Sequence, residues 1–562
     1  MKTQFVCTVT LVVCFVLAIC AVTAGSLVAQ NNSGANGAYP NIPHLAKKGN
    51  ATQLIVNGKP FIMLAGEIHN SSSSTLEYMQ MVWPKLKNLN ANTILMSVNW
   101  EQFEPEEGKF DYSLVDGHIR QARENDMKIV FLWFASWKNG LSGYAPGWVK
   151  KNTQRFPLSK DANGNSKDVL TPLDNNARDA DAKAFAALLK HIKEVDSNDQ
   201  TVIMVQIENE VGIRFQPRDM SEMATQAYNS AVPEELMDYL TKNRENLHPA
   251  LLRQWEKSGF KTNGTWPEIF GGYWEADEIF SAWHYAKYVQ AIASAGKKEY
   301  PIPMFTNAWL PDPNAPPHDW PSGGPTPNML DIWRAGAPDI DCLAPDIYQP
   351  TFKEFCAEYT RNGNVLLIPE AHRGDDVAAR AYWAIGKHNA ICFAPFGIES
   401  MPEDHPLKGT YAILRQALPL ITDAQGTGRM TAVYLQDREK EGNQTIVPLG
   451  QWNLNVRFFE NGLPQGVKPG AIIIQSAEDE FYVMGQGIEI GFKPQSTEGP
   501  QNVDILTSEI GRLENGVFVR EVQLNGDEIR AHNTTFYRTR LPVRLLEPSK
   551  PRILRVKIYT YE

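Results

Sequence analysis

The run Thr201-Val-Ile-Met-Val-Gln-Ile-Glu-Asn-Glu-Val-Gly212 decides how this chain is read. Its apolar and β-branched residues lead without a break into two carboxylates and an amide. A short apolar run of that kind reads as a strand buried on both faces, as in a parallel sheet. The polar groups, costly to bury, then stand where the strand leaves the core. In a β/α barrel that end carries the active site. A lone Glu there would read as a solvated strand end, but a second apolar strand, Val365-Leu-Leu-Ile-Pro-Glu370, also ends on a carboxylate.

Working outward, strand and helix patterns alternate from about residue 40 to 424. The spacing predicts strands at 61–66, 92–98, 128–134, 201–212, 302–308, 341–348, 365–370 and 390–396. Helices are predicted at 75–89, 113–125, 182–195, 279–295, 377–387 and 411–420, with a short one after the loop 310–327. In 182–195, Phe185, Leu188, Leu189, Ile192 and Val195 recur on one helical face. An insertion of about 65 residues, rich in Trp, Pro and Gly, follows the fourth strand. Eight strand–helix units are the count for a (β/α)₈ TIM barrel, an α/β fold. A doubly wound sheet would bring a Gly-rich first turn, and Ala65-Gly66-Glu67 is not one. Over 425–562 short β-type stretches separated by Gly, Asn, Asp and Pro predict a smaller all-β sandwich domain.

The chain has 562 residues, 43% hydrophobic and 21% charged, with a formal net charge of −10. That acidic balance, without a concentrated basic patch, argues against a nucleic-acid partner. Lys2, the apolar run Val6 to Val22 and the small residues Val22-Thr23-Ala24 or Val28-Ala29 read as a signal peptide. Export is the expectation, with cleavage near residue 24 or 29. No other stretch is long and apolar enough to span a membrane. Beyond that segment only Cys342, Cys356 and Cys392 remain, an odd number without metal-ligand spacing.

If strands four and seven share a barrel, Glu210 and Glu370 emerge at one mouth. Two carboxylates flanking a site are the minimum for cleaving a glycosidic bond. They serve only if their environments keep one protonated and the other ionised. Glu208 rivals Glu210, because residues two apart point the same way in a strand. Flat aromatic faces suit sugar rings, and the chain holds 14 Trp and 19 Tyr.

Gln206-Ile-Glu-Asn-Glu-Val-Gly212 resembles the Gln-[Ile/Val]-Glu-Asn-Glu-Tyr-Gly signature of glycoside hydrolase family 35, the β-galactosidases. Asn92-Thr-Ile, Trp100 and Glu104-Pro-Glu-Glu-Gly-Lys-Phe-Asp111 resemble that family's stretch around strand two, and Trp137-Lys-Asn-Gly140 and Tyr144-Ala-Pro-Gly-Trp148 its bacterial branch. The resemblance covers most of residues 50–400. It implies Glu210 as general acid/base, Glu370 as nucleophile and Asn209 as the ligand of the hydroxyl beside the anomeric carbon. Tyr348 would hydrogen-bond the nucleophile. It also implies retention of configuration, hence carboxyls roughly 5 Å apart, and neither metal nor organic cofactor.

The chain departs from that family at two places. Met96-Ser97-Val98-Asn99-Trp100-Glu101 and Phe134-Ala135-Ser136-Trp137 stand where relatives carry a sugar-holding tyrosine and glutamate. Arabinopyranose and glucosamine therefore stay open beside galactose, the latter gripped by groups such as Glu67, His69 or Lys138. Trp137 and Trp309 are the candidate stacking platforms. The expectation is an exported retaining exo-β-glycosidase, most simply a β-galactosidase acting on plant-type oligo- or polysaccharides. Its rivals are an endo-glycanase and a non-catalytic carbohydrate-binding barrel.

Overall fold

The computed structural model describes residues 41–524 except 273, 313 and 317, together with 543–544 and 550–562. The expected signal peptide lies outside the described residues. Eight parallel strands close into a barrel in sequence order: β1 (Met63–Glu67), β2 (Thr93–Asn99), β3 (Lys128–Lys138), β4 (Val202–Asn209), β5 (Met304–Trp309), β6 (Cys342–Ile347), β7 (Leu367–Ala371) and β8 (Cys392–Pro395). Every residue of β4 is buried, as a strand walled in by helices outside and side chains inside requires.

Helices α1 (Leu76–Asn88), α2 (Ser113–Glu124), α3 (Asn175–Asp196), α4 (Trp274–Glu299), α5 (Leu330–Gly336), α6 (Phe352–Glu358), α7 (Val377–His388) and α8 (Leu407–Ala424) follow the strands in turn. Thr75 caps α1 by accepting from the Tyr78 N–H, which is why the helix starts where its apolar stripe does. α3 begins seven residues before the predicted 182. Asp174 caps it through the Ala177 N–H at 2.8 Å, and its first turns are polar, so the apolar stripe understates its length. The insertion after β4 folds into four short helices between Glu222 and Phe270.

The departure from expectation that bears on the barrel mouth is at β3. It runs to Lys138 rather than ending at Phe134, with an irregular register against β4 over its last residues. Ser136, Trp137 and Lys138 are thereby carried to the barrel mouth. At the opposite end a small antiparallel sheet (His44–Lys48, Ala51–Val56, Lys59–Phe61) closes the barrel floor. Its Leu54 and Val56 join the interior cluster, and the Asn57 N–H donates to Gln200 just before β4.

Beyond α8 lie two antiparallel sheets. One has six strands, in spatial order Met430–Tyr434, Gly470–Ala477, Glu480–Gln486, Arg552–Tyr561, Asn502–Glu514 and Val517–Gln523. The other has four: Gln444–Leu449, Trp452–Phe458, Ile488–Pro494 and Val543–Arg544. Trp452, Leu454, Ile473, Phe481, Val483 and Leu554 fill one core between them, so the fold is a β-sandwich. The other face of the larger sheet, through Ala432, Ile472, Ile474 and Ile553, packs into the barrel's own core. At Gly386 of α7 an added Cβ would lie 2.7 Å from Ile472, which is how closely the sheet approaches that helix. Among the described residues, no helix is long and apolar enough to cross a membrane.

Candidate active site

The tip of β4 does not continue as a strand. Glu208 and Glu210 take left-handed backbone, at φ 58° and 45°, a conformation that costs an L-residue energy and clusters at functional sites. The period-two expectation therefore fails here, and the two glutamates enter different networks. Glu208 turns toward β3, where its carboxylate accepts from the N–H groups of Ser136 (3.2 Å) and Trp137 (2.7 Å). It faces Asp181 of α3, which accepts from Trp133 Nε1 at 2.8 Å and Ser136 Oγ at 2.5 Å. Burial, and then Asp181, push the Glu208 carboxyl well above the usual range, and burial raises Asp181 too. This is a closed internal pair.

Glu210 goes to the mouth. Its N–H donates to Asn307 Oδ1 of β5 at 2.9 Å. Asn307 Nδ2 in turn donates to Asn209 Oδ1 at 3.0 Å and to Asp346 Oδ2 of β6 at 2.7 Å. Asp346 lies in register with Glu370 of β7. Carboxylate oxygens of Glu210, Asp346 and Glu370 all lie within 4.8 Å of one another. Tyr348 Oη donates to Glu370 Oε2 at 2.5 Å, and Glu370 Oε1 has no hydrogen-bond partner. Lys138 Nζ stands 3.8 Å from that free oxygen.

Four buried carboxyls thus converge, because Glu67 at the end of β1 joins them with neither oxygen hydrogen-bonded. Burial drives the shifts. The Glu210 carboxyl is pushed up to about 7 by burial and the charge of Glu370, with Lys138 pulling it back. Asp346 and Glu67 are held well above the usual range by burial and then by Glu370. Burial alone would lower the Lys138 ammonium, but Glu370, Glu67, Glu210 and Asp346 around it outweigh that and raise it. Three oxygens so close could ligate a divalent cation. Here Lys138 already brings fixed positive charge to the group.

The other candidate residues separate clearly. Asn209 is fully buried, its Oδ1 accepting from Gln206 and Asn307 and its Nδ2 donating to Asn139 Oδ1 at 3.2 Å. Trp309 is half-buried at the end of β5. His69 reaches sideways, its Nε2 at 2.8 Å from Ser400 Oγ and its ring edge-on to Phe396. Trp137 is not a platform. It has no exposed surface, donates Nε1 to the Leu170 carbonyl at 3.1 Å and packs against Tyr285 and Tyr288. The longer β3 turned it into the core. Asp346 and Asn307 were not singled out from sequence, although each stands where Glu210 and Glu370 do, at the carboxyl end of an apolar strand.

A family model described as "Beta-galactosidase", that of glycoside hydrolase family 42, matches residues 74–268. These include β2 to β4 and Glu210. The barrel is glycoside hydrolase-like. A model described as "Domain of unknown function (DUF5597)" matches residues 407–535, which begin at α8 and enter the sandwich. A β-galactosidase from Xanthomonas manihotis is 28% identical over 176 residues, 29% of this chain and 25% of that protein. The chain thus spans about a quarter of the length of that curated relative. Among solved structures, a β-galactosidase from Bacillus circulans sp. alkalophilus has a TM-score of 0.44 at 14% identity, covering 65% of this chain and 57% of that one. The β-amylase catalytic domain from Paenibacillus polymyxa has 0.46 at 14%, covering 63% and 98%. The β-galactosidase family model and the Xanthomonas relative support a β-galactosidase-like glycoside hydrolase, which is coarser than the expected family 35.

Proposed function

We propose that this glycoside hydrolase-like barrel is a retaining exo-β-galactosidase that removes terminal non-reducing β-D-galactosyl residues from plant-type oligo- and polysaccharides. One observation carries the mechanism: oxygens of Glu210 and Glu370 lie within 4.8 Å of each other at the barrel mouth. That upper limit is compatible with the close pair of retaining enzymes, roughly 5 Å apart, and falls short of the about 6.5–9.5 Å that inverting ones need to admit a water between their carboxyls. Glu370 Oε1, free of hydrogen bonds while Tyr348 holds Oε2, attacks the anomeric carbon. Glu210, still protonated near neutral pH because burial raises it to about 7, gives its proton to the leaving oxygen. The ionised Glu210 then takes a proton from the water that opens the glycosyl–Glu370 ester. Asn209, fixed by Gln206 and Asn307, is the amide offered to the hydroxyl next to the reacting carbon.

The sugar's identity rests on the matches to β-galactosidases, and exo action on the family resemblance. In place of the missing tyrosine and glutamate, Glu67 and Lys138 are the polar groups offered to the ring hydroxyls. Export, which the apolar run Val6 to Val22 supports, belongs to the same reading. Azide rescue tests the roles. Glu210→Ala with azide should yield a β-linked glycosyl azide and Glu370→Gly an α-linked one. The opposite stereochemistry would exchange the roles, and rescue confined to Glu208→Ala would move the acid/base to Glu208. Ranking aryl β-galactoside, β-fucoside, α-arabinopyranoside and β-glucosaminide by kcat/KM tests the sugar, and the galactoside should lead.

A further inference from the structure

The loop leaving Glu210 carries a side chain that nothing in the fold requires. Phe215 is 68% exposed and holds left-handed backbone at φ 65°, a genuine outlier for a bulky residue. The loop around it is tied down on both sides. The Phe215 N–H donates to the His318 carbonyl at 2.7 Å, and Ile213 and Ser322 exchange two backbone hydrogen bonds. On the β3 side, an added Cβ at Gly140, which sits at φ 68°, would lie 3.0 Å from Arg214 Cγ, so the loops approach closely there. The strain is thus fixed by its surroundings and spent on displaying an aromatic ring.

Arg214 joins that ring to the site. Its guanidinium carbon lies 4.6 Å from the Phe215 ring centroid and 4.6 Å from that of Trp309, a cation held between two rings. Its Nε donates to the Asp319 carbonyl at 2.8 Å and its Nη2 contacts Asp319 Oδ1 at 3.4 Å. Its charge also acts on Glu210. Trp309 ends β5 two residues beyond Asn307 and lies in register with Asp346. The stack Phe215–Arg214–Trp309 is therefore anchored to the adjacent strands β4 and β5, beside Glu210.

Resting on the mechanism proposed above, we propose that this stack is the leaving-group subsite, taking the second pyranose of a β-linked oligosaccharide. Glu210 must reach the glycosidic oxygen, so the loop running outward from Glu210 meets whatever that oxygen carries. The C–H face of a sugar ring covers an aromatic ring that is otherwise left to water. Lys167 Nζ, 5.9 Å from the Phe215 centroid, is a loosely placed donor for the hydroxyls of that second ring.

The test compares leaving groups. A β-linked galactosyl disaccharide presents a second ring, and β-galactosyl fluoride presents none. In Phe215→Ala the ratio of their kcat/KM values should fall about tenfold, the worth of one aromatic contact of roughly 1.4 kcal/mol. Phe215→Gly, which relaxes the φ strain, should give the same fall. An unchanged ratio in both variants overturns the subsite. Titration with a thio-linked disaccharide, which is bound but not cleaved, separates the subsite from the activity. If wild type turns over neither substrate yet binds this probe about tenfold more tightly than Phe215→Gly does, the proposed activity falls and the subsite stands. Equal binding, or none, removes the subsite.

Discussion

Two acid clusters sit at the end of one strand, two residues apart in sequence, and they are built to opposite rules. Around Glu208 two backbone N–H groups, and around Asp181 an indole N–H and a hydroxyl, satisfy the buried oxygens. Around Glu210 the buried oxygens Glu67 Oε1 and Oε2, Asp346 Oδ1 and Glu370 Oε1 have no hydrogen-bond partner. A fold normally satisfies what it buries. The unsatisfied cluster is held by its neighbours at a cost, and it faces the mouth, where a substrate's hydroxyls can satisfy it. The satisfied cluster holds β3 and β4 together. Partnering, rather than acidity, separates structure from chemistry here.

Stability should break or sharpen this contrast most strongly. Glu208→Ala leaves the N–H groups of Ser136 and Trp137 without their acceptor, at about 1–3 kcal/mol each, beside a new cavity. A loss of roughly 3–5 kcal/mol in chemical unfolding is expected. Glu210→Gln should move the other way at pH 8. With its carboxyl raised from 4.5 to about 7, Glu210 keeps a proton in the folded chain that the unfolded chain has already lost. Folded protein then binds more protons between about pH 4.5 and 7, and stability falls as pH rises through that window. The uncharged amide escapes this loss, which predicts a gain on the order of 1–3 kcal/mol at pH 8 and almost none at pH 4. Equal destabilisation by both substitutions would erase the distinction between the clusters.

Lys138 is the next lever. It is the buried cation against Glu370 and it restrains the upward shift of Glu210. Lys138→Met should lower kcat roughly 10- to 100-fold by removing preorganised positive charge from the site. The more telling readout is the pH profile. Activity should fall with rising pH through about 7 in wild type as Glu210 loses its proton. Without the ammonium that proton is held more tightly, so the alkaline limb should move to higher pH. A limb that stays put would mean that Lys138 acts on packing alone.

The barrel was legible because its strands are apolar runs of the right length, alternating with helices. Glu210 and Glu370 were legible because they interrupt that apolar texture at strand ends. Choosing between Glu208 and Glu210 needed the family motif, since strand periodicity points both the same way and the left-handed backbone that parts them leaves no sequence mark. Trp137 was misread for a related reason. A sequence shows an aromatic residue near a strand end, but not that β3 continues four residues further and turns the indole inward. Asn307 and Asp346 were missed because each is a single polar residue in an apolar run. Only the closed barrel, which sets β5 and β6 between Glu210 and Glu370, makes them neighbours of those two glutamates.

The same partnering rule gives the smallest effect, at His69. It stands two residues beyond Glu67, and both were candidates to hold the sugar. Glu67 is fully buried with two unpartnered oxygens among the carboxyls at the barrel mouth. The His69 ring is turned to the loop after β8, to Ser400 Oγ and the Phe396 face, and the His69 backbone N–H donates to Glu399 Oε1 at 2.8 Å. Since its Nε2 is already engaged with the protein, His69→Ala should cost about 0.5–1.5 kcal/mol of stability, one hydrogen bond and one ring contact. KM for a galactoside should change less than about threefold, the effect of about 0.6 kcal/mol. A tenfold rise in KM without loss of stability would place His69 in the sugar site and show that a group partnered in the free protein can exchange that partner for substrate. The division between the two clusters would then fail as a guide to which residues bind.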